Sequence, residues 1–299
     1  MPRPETPSSP APAPKATPDP PGFRAAPDVP AARATPDPPR PALADTARQF
    51  GDHARQYAVS RLHSEGVARL LLLEHMEPVA DEALLDIASG PGPVALTFAP
   101  YVACAVAFDL APAMLHAARL AGRRAGAENL RLVAGDVHRL PFADRSFALV
   151  TSRAAPHHFV EIRRAVSEMA RVLCRGGRLG IADGTVPADA ELDAFINDLD
   201  RLHDPTTVRN YSAGEWRTFF ADAGLRVDHV EEEVRELEEG CSLADWMARS
   251  GASTPVLEEA KRRLLQAPVA VREHLRVRAE GDDLRISLPR ILIVGTRVD

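Results

Sequence analysis

The chain has 299 residues, with 36 Lys and Arg against 42 Asp and Glu, a net charge of −6 and 5% aromatic residues. The basic residues are scattered among acids, so neither a basic stripe nor a stacking platform argues for a nucleic-acid partner. No apolar run is long enough for a transmembrane helix, and the three cysteines (Cys104, Cys174 and Cys241) lack metal-ligand spacing, which fits a reduced, cytoplasmic setting.

Fifteen of the 27 prolines fall within the first 41 positions. Residues 1–41 carry few large apolar side chains and are expected to form a disordered or extended tail. The string Ala16-Thr17-Pro18-Asp19-Pro20-Pro21 recurs there as Ala34-Thr35-Pro36-Asp37-Pro38-Pro39, more simply as sequence drift than as a binding motif. Residues 42–299 suffice for one sizeable core.

Residues 43–76 read as one or two helices, with Leu62, Val67, Leu70, Leu71 and Leu73 on an apolar face and Pro78 closing the segment. Strands and helices then alternate. Strands are predicted at 83–88, 102–108, 130–134, 147–152, 178–182 and 225–230, with a final strand region at 286–288 and 290–298. Pro93 and Pro112 suit first turns of helices, where a missing N–H costs nothing. Ile162, Val166, Met169 and Leu173 share one helical face, and Ser212-Ala213-Gly214-Glu215 is a capping box. Further helices are expected at 242–249 and 254–265. The run Glu231-Glu232-Glu233, followed by Glu236, Glu238 and Glu239, reads as a solvated face. Such alternation predicts an α/β fold, with ligands outside the carboxyl ends of the strands at the topological switch point.

Chemistry concentrates at the ends of the first three strands. Asp86 precedes Gly90-Pro91-Gly92, whose glycines let backbone approach a ligand closely. Asp109 ends the second strand and suits two ribose hydroxyls. Asp136 follows the third and suits an adenine amino group, with Leu110 and Val137 sandwiching the ring. Gly90, Gly92 and Ala95, with Asp109 19 residues past Gly90, also satisfy a loose dinucleotide fingerprint. Asp86 separates the two cases: a carboxylate there repels an anionic pyrophosphate and suits a cationic sulfonium donor with an α-amino group. Asp86 has a second assignment, as a hydrogen-bond acceptor for the loop backbone.

Together, Asp86-x-Ala-x-Gly-x-Gly92, Phe108-Asp109-Leu110, Gly135-Asp136-Val137-x-x-Leu-Pro-Phe142, Ser146-Phe147-Ala148-Leu149-Val150 and Arg171-Val172-Leu173-x-x-Gly-Gly177 resemble the class I S-adenosylmethionine-dependent methyltransferases. Arg153-Ala-Ala-Pro-His157-His158-Phe159, Asp204-Pro205-Thr-Thr-Val208-Arg209-Asn-Tyr211 and Phe50-x-x-His53-Ala54-x-x-Tyr57 make the chain similar to the bacterial group related to ubiquinone and menaquinone biosynthesis (UbiE-type), over about residues 48–298. The resemblance implies a Rossmann-like fold: a seven-stranded, mostly parallel sheet with its last strand antiparallel, helices on both faces and a small helical cap. It implies N-terminal helices at 42–80, a cofactor-binding core at 81–185, and an acceptor side with cap and final strands at 186–299.

It further implies S-adenosyl-L-methionine as cofactor and a small-molecule methyl acceptor with a carbon or oxygen nucleophile, quinone-like or another secondary metabolite. Tyr57, Asp86, Ala88, Gly90, Gly92, Asp109, Leu110, Met114, Asp136, Val137 and Arg153 are the implied cofactor residues. Arg153 is placed either on the methionine carboxylate or against a nearby acid. His158 or His157 is the candidate general base, because imidazole titrates near neutrality; adjacent histidines point apart, so no metal is expected. Asp204, Arg209 and Tyr211 are candidate acceptor contacts. Pro91, Pro93 and Ala111 depart from the family pattern, the first two by deleting N–H donors and the last by removing a helix cap. Two alternatives therefore stand beside the enzyme: a non-catalytic methyltransferase-like protein with a weakened loop, and a nicotinamide-dependent dehydrogenase.

Overall fold

The computed structural model describes residues 41–60 and 66–298; the expected tail lies outside the described residues except for Pro41, which starts the first helix. Helices α1 (Pro41–Val59) and α2 (Ala68–Met76) precede strand β1 (Ala83–Ile87). There follow α3 (Pro93–Phe98), β2 (Cys104–Asp109), α4 (Pro112–Ala125), β3 (Leu130–Ala134), β4 (Phe147–Arg153), α5 (Ile162–Val172) and β5 (Leu173–Gly184). Then come α6 (Ala190–His203), α7 (Ala213–Asp222), β6 (Leu225–Arg235), β7 (Cys241–Ser242), α8 (Leu243–Arg249), α9 (Thr254–Gln266) and α10 (Val269–His274). Strands β8 (Arg278–Glu280), β9 (Asp283–Ile286) and β10 (Pro289–Arg297) close the described chain. No helix among the described residues is long and apolar enough to cross a membrane.

Seven strands form one sheet in the order β3-β2-β1-β4-β5-β10-β6. Neighbours among β1 to β5 run parallel, and β10 runs antiparallel to both β5 and β6. The order reverses between β1 and β4, so the switch point lies where Asp86 pairs in register with Thr151. Period-two alternation sends successive residues to opposite faces. Leu85, Ile87, Phe108, Val150 and Ile293 pack on α5 and α7 through Val166, Met169, Trp216 and Phe220. Leu84, Ala105, Leu149 and Leu292 pack instead on α2 and α3 through Leu72, Met76, Val94 and Phe98.

Local signals explain the helix ends. Pro93 and Pro112 occupy first turns as expected. Ser212 and Glu215 close both halves of the capping box that starts α7. Strand β6 runs past Val230 and through the acidic run to Arg235. Glu231, Glu232 and Glu233 are exposed on this edge strand, where charge discourages pairing with another chain. Glu236, just beyond, is buried, contrary to the solvated face expected for it.

The cap is mixed rather than purely helical. Helices α6, α8 and α9 enclose their own apolar cluster, including Ile196, Leu199, Leu243, Trp246 and Leu264. A three-stranded sheet, β7-β9-β8, joins that cluster through Leu284 and Ile286. Residues 283–286 therefore belong to a separate sheet, and the final strand region divides between two sheets.

Gly180 on β5 lets α2 lie against the sheet: a Cβ there would come within 2.8 Å of Leu72 Cδ2 and also overlap Met76 Sδ. Gly180→Val should lower stability by about 2 kcal/mol through overpacking, seen as a lower midpoint in thermal denaturation, despite valine's preference for strands.

Candidate functional site

At the carboxyl edge of β1 the chain turns through Ala88, Ser89, Gly90 and Pro91 into α3. Ala88 and Gly90 hold φ of +50° and +55°, an unfavourable conformation for the alanine. A Cβ at Gly90 would meet nothing within 4 Å, so the loop has space beside it. Gly92 differs: its φ is +84° and a Cβ would lie 3.3 Å from Ala118 Cβ. Gly92 thus lets α4 pack against the loop, and the expectation that it makes room for a ligand is corrected.

Two buried carboxylates hold this edge together. Asp86 Oδ1 accepts from the Thr151 hydroxyl at 2.9 Å and Oδ2 from the Ala95 N–H at 3.1 Å. Asp109 Oδ2 accepts from the Gly90 N–H at 2.8 Å and Oδ1 from the Ala111 N–H at 2.9 Å. Asp109 thereby serves α4 in place of the side-chain cap that Ala111 lacks. Burial raises the pKa of Asp86 to about 7 and of Asp109 to about 6, against the opposing pull of these hydrogen bonds.

Asp136 follows β3. Its Oδ1 accepts from the His138 N–H at 3.0 Å and pairs with His138 Nδ1 at 2.6 Å. His138 Nε2 accepts from the Glu161 N–H at 3.2 Å, so the proton sits on Nδ1. Burial acts to raise the pKa of Asp136, but the His138 contacts outweigh it and hold the carboxyl below its ordinary value.

Asp86, Ala88, Gly90, Asp109, Leu110, Met114, Asp136, Val137, Arg153 and Tyr57 all line one cavity. Of the expected cofactor residues, Gly92 alone is not on its wall. Phe50, Ser89 and Phe159 also line it, although sequence reasoning did not select them. Ser89 Oγ is buried with no hydrogen-bond partner among the described residues. Tyr57 is buried, its hydroxyl pKa pushed up to about 12 by desolvation despite Arg249, which lies 5.7 Å from the ring centre.

Arg153 reaches the wall already engaged. Its guanidinium lies 2.6 Å from Glu236 Oε1, and Arg290 Nε approaches the same oxygen at 3.1 Å. Glu236 Oε2 accepts from the Ala68 N–H at the start of α2. Of the two assignments for Arg153, the structure displays the nearby acid. Desolvation lowers the Arg153 pKa against the opposing effect of Glu236.

A second cavity adjoins the first, sharing Phe50, Tyr57, Ala154 and His158. His157 lines only the second. Its Nδ1 pairs with buried Asp183 Oδ1 at 2.6 Å, and its N–H donates to Oδ2 at 2.7 Å. Desolvation works to lower its pKa, but Asp183 prevails and raises it. His158 stands between the cavities, its ring edge-on to Phe50 at 4.9 Å. Its Nδ1 lies 3.2 Å from Thr206 Oγ1, and that hydroxyl donates to Asp204 Oδ1 at 2.7 Å. The chain of donors places the proton on Nδ1 and leaves Nε2 as the acceptor atom. Burial and the adjacent His157 push the His158 pKa down to about 4.

Asp204 lines the second cavity, but Arg209 and Tyr211 line neither. Arg209 is paired with Asp193 at 2.8 Å, and Tyr211 packs in the core beside Trp216 and Phe219. Both are therefore corrected as acceptor contacts.

The family model described as a methyltransferase domain matches residues 85–181. The chain is 32% identical to the uncharacterized methyltransferase YcgJ of Bacillus subtilis over 83% of its own length and 97% of that protein. The chain belongs to the methyltransferases. The crystal structure of YcgJ superposes with a TM-score of 0.71 over 78% of this chain and 98% of that one, at 31% identity. The match to the ubiquinone/menaquinone biosynthesis C-methyltransferase UbiE of Dinoroseobacter shibae is shorter: 37% identity over 45% of this chain and 56% of that protein. Geranyl diphosphate C-methyltransferase from Streptomyces coelicolor, solved with S-adenosyl-L-homocysteine, shares the fold: TM-score 0.60, 17% identity, 88% of this chain and 100% of that one.

The cofactor of this methyltransferase is S-adenosylmethionine. The first cavity fits it chemically. The space beside Gly90, the buried Ser89 hydroxyl, unpartnered among the described residues, and the carboxylates at three strand ends provide room, a polar contact and negative charge. Pro93 sits at the first turn of α3, where its absent N–H would have had no helical partner.

Asp109→Ala should weaken S-adenosylhomocysteine binding in calorimetry by about tenfold or more, the loss of a charged hydrogen-bond acceptor, with an unaltered circular dichroism spectrum. A ligand that donates hydrogen bonds favours ionised carboxylates. Affinity should therefore rise with pH through the values of about 6 and about 7 at Asp109 and Asp86, then level off. For stability the sign is opposite: the folded, ligand-free protein holds protons on these acids that the unfolded chain has released. Its stability contribution falls as pH rises from the ordinary carboxylate value to about 7. Glu236→Gln, which leaves Arg153 and Arg290 uncompensated, should cost about 3–5 kcal/mol in denaturant unfolding.

Proposed function

We propose that this methyltransferase holds S-adenosylmethionine in the first cavity and transfers its methyl group to an oxygen or carbon nucleophile of a small molecule in the second. The observation that carries this is the position of His158. It forms part of both walls, and Thr206 and Asp204 orient its ring with Nε2 free of protein hydrogen bonds among the described residues.

When bound, the cofactor supplies a methyl carbon activated by its sulfonium, whose C–S bond breaks toward sulfur as the acceptor–carbon bond forms. Asp109 and Asp136 are the residues we assign to the ribose and the adenine amino group, with Leu110 and Val137 beside the ring. Ser89 and the Ala88–Gly90 backbone are assigned to the amino-acid end. His158 Nε2 takes the proton that the acceptor nucleophile loses, while the Thr206–Asp204 pair holds the ring in place. His157, carrying charge against Asp183, fixes the neighbouring turn: its carbonyl accepts the N–H groups of Val208 and Arg209. Much of the acceleration then comes from aligning two partners away from water. Closeness to the UbiE group supports a carbon nucleophile next to an ionisable hydroxyl as the starting choice.

Against the non-catalytic alternative, the loop with Pro91 and Pro93 is folded and anchored through Gly90 and Gly92 N–H groups. Asp86 at the foot of the loop disfavours a pyrophosphate and with it the dehydrogenase.

Calorimetry of the full chain with S-adenosylmethionine, followed by label transfer from its methyl group to a panel of phenols and quinols, tests the proposal. Micromolar cofactor binding with transfer to one class of acceptor is expected; absence of cofactor binding overturns it. His158→Ala should lower kcat by about 10²-fold or more, the usual worth of a positioned base, with cofactor affinity little changed. Because His158 is neutral above its value of about 4, kcat at saturating cofactor should stay level from pH 8 down to about pH 5.5.

A further inference from the structure

The second cavity has walls of two kinds. Phe50, Tyr57 and the stacked pair His203–Trp246, with ring centres 4.0 Å apart and planes 20° from parallel, are flat. Between them stand charged groups, most of which are already satisfied. Asp183 serves His157, and Glu236 serves Arg153 and Arg290. Asp200 accepts from the Asn210 amide.

Among the described lining residues, Asp204 Oδ2, Asn210 Oδ1, Arg249 Nε and Arg290 Nε have no hydrogen-bond partner, although Arg290 Nε lies 3.1 Å from Glu236 Oε1. Asp204 is 1% exposed, and its Oδ1 accepts from the Thr206 N–H and hydroxyl, but its Oδ2 is buried with no hydrogen-bond partner among the described residues. Arg249 Nε is likewise buried and unpartnered among the described residues, while the same guanidinium lies near the Tyr57 ring. A carboxylate oxygen without a donor and a guanidinium N–H without an acceptor each carry a desolvation penalty that a bound ligand relieves.

We propose that the methyl acceptor is a compact, planar, hydroxylated ring with a carbonyl or second hydroxyl next to the hydroxyl whose oxygen or neighbouring carbon takes the methyl group, and that it has no isoprenoid chain. The hydroxyl or its neighbour donates to Asp204 Oδ2, and a ring oxygen accepts from Arg249. The flat walls receive the ring. An isoprenoid chain would supply no hydrogen bond to this lining and would leave Asp204 Oδ2 and Arg249 Nε unpaired. The neutral imidazole of His158 suits a nucleophile as acidic as an enol or hydroxyquinone. This rests on the methyl-transfer reading above and sets this chain apart from a quinone with a long tail.

The test uses the full chain loaded with S-adenosylhomocysteine and titrated calorimetrically with three probes: catechol, hydroxynaphthoquinone and farnesylated hydroxynaphthoquinone. At least one of the two compact probes should bind, and the farnesylated one at least about tenfold more weakly than its parent. A site built around hydrogen bonds discriminates strongly when they are lost. Asp204→Asn and Arg249→Gln should each weaken the compact probe about tenfold or more, with S-adenosylhomocysteine affinity within about twofold of the parent protein's. Equal or tighter binding of the farnesylated probe overturns the proposal. So does indifference to both substitutions, or failure of both compact probes to bind a protein that holds S-adenosylhomocysteine. Failure to hold S-adenosylhomocysteine at all overturns the methyl-transfer reading itself, which separates the two.

Discussion

The candidate site is built around carboxylates kept at the dry carboxyl edge of a parallel sheet. Asp86 and Asp109 are both nearly inaccessible, and desolvation presses each toward its neutral form. They remain because the chain supplies each with two donors, and those donors come from different elements: Thr151 on β4 and Ala95 on α3 for one, Gly90 and Ala111 for the other. The acids therefore act as fasteners between the strand ends and the loops above them. Their hydrogen bonds fix the same turn whose open side forms the cavity wall.

Much of this was legible because it is local. Strand ends followed by acids, prolines in first turns and the Ser212–Glu215 capping box are written within a few residues, and each is found where the sequence placed it. What escaped depends on contacts distant in sequence. Arg153 and Glu236 are 83 positions apart, yet they share a buried ion pair. A hint was present: in a strand carried past Val230, Val234 and Glu236 fall on the same side, so a buried valine implies a buried glutamate. Gly92 was misassigned because a glycine in a loop and a glycine under a helix look alike until Ala118 is seen facing it. Thr206 was passed over because a threonine two positions after an aspartate carries no signal until His158 is found across the gap. The small sheet of the cap escaped for another reason: its strands span two to four residues, too short for alternation to register.

The two neighbouring histidines show how environment divides like residues into different roles. Asp183, fully buried, holds a proton on His157, and the charge so created helps deny one to His158. The imidazole whose pKa Asp183 raises braces the turn, and the one whose pKa burial lowers stands between the two cavities. Their order along the chain does not reveal which is which; the position of one aspartate on β5 decides it.

Helix α1 contributes Phe50 and Tyr57 to the walls of both cavities while burying little else of its length. Such an element, anchored by few apolar side chains, opens at lower free-energy cost than the sheet beneath it. Because one roof covers two compartments, the compound that settles first defrays the ordering of that roof for the second. Two molecules held under that helix would each favour the binding of the other, even if they touch only at the reacting atoms.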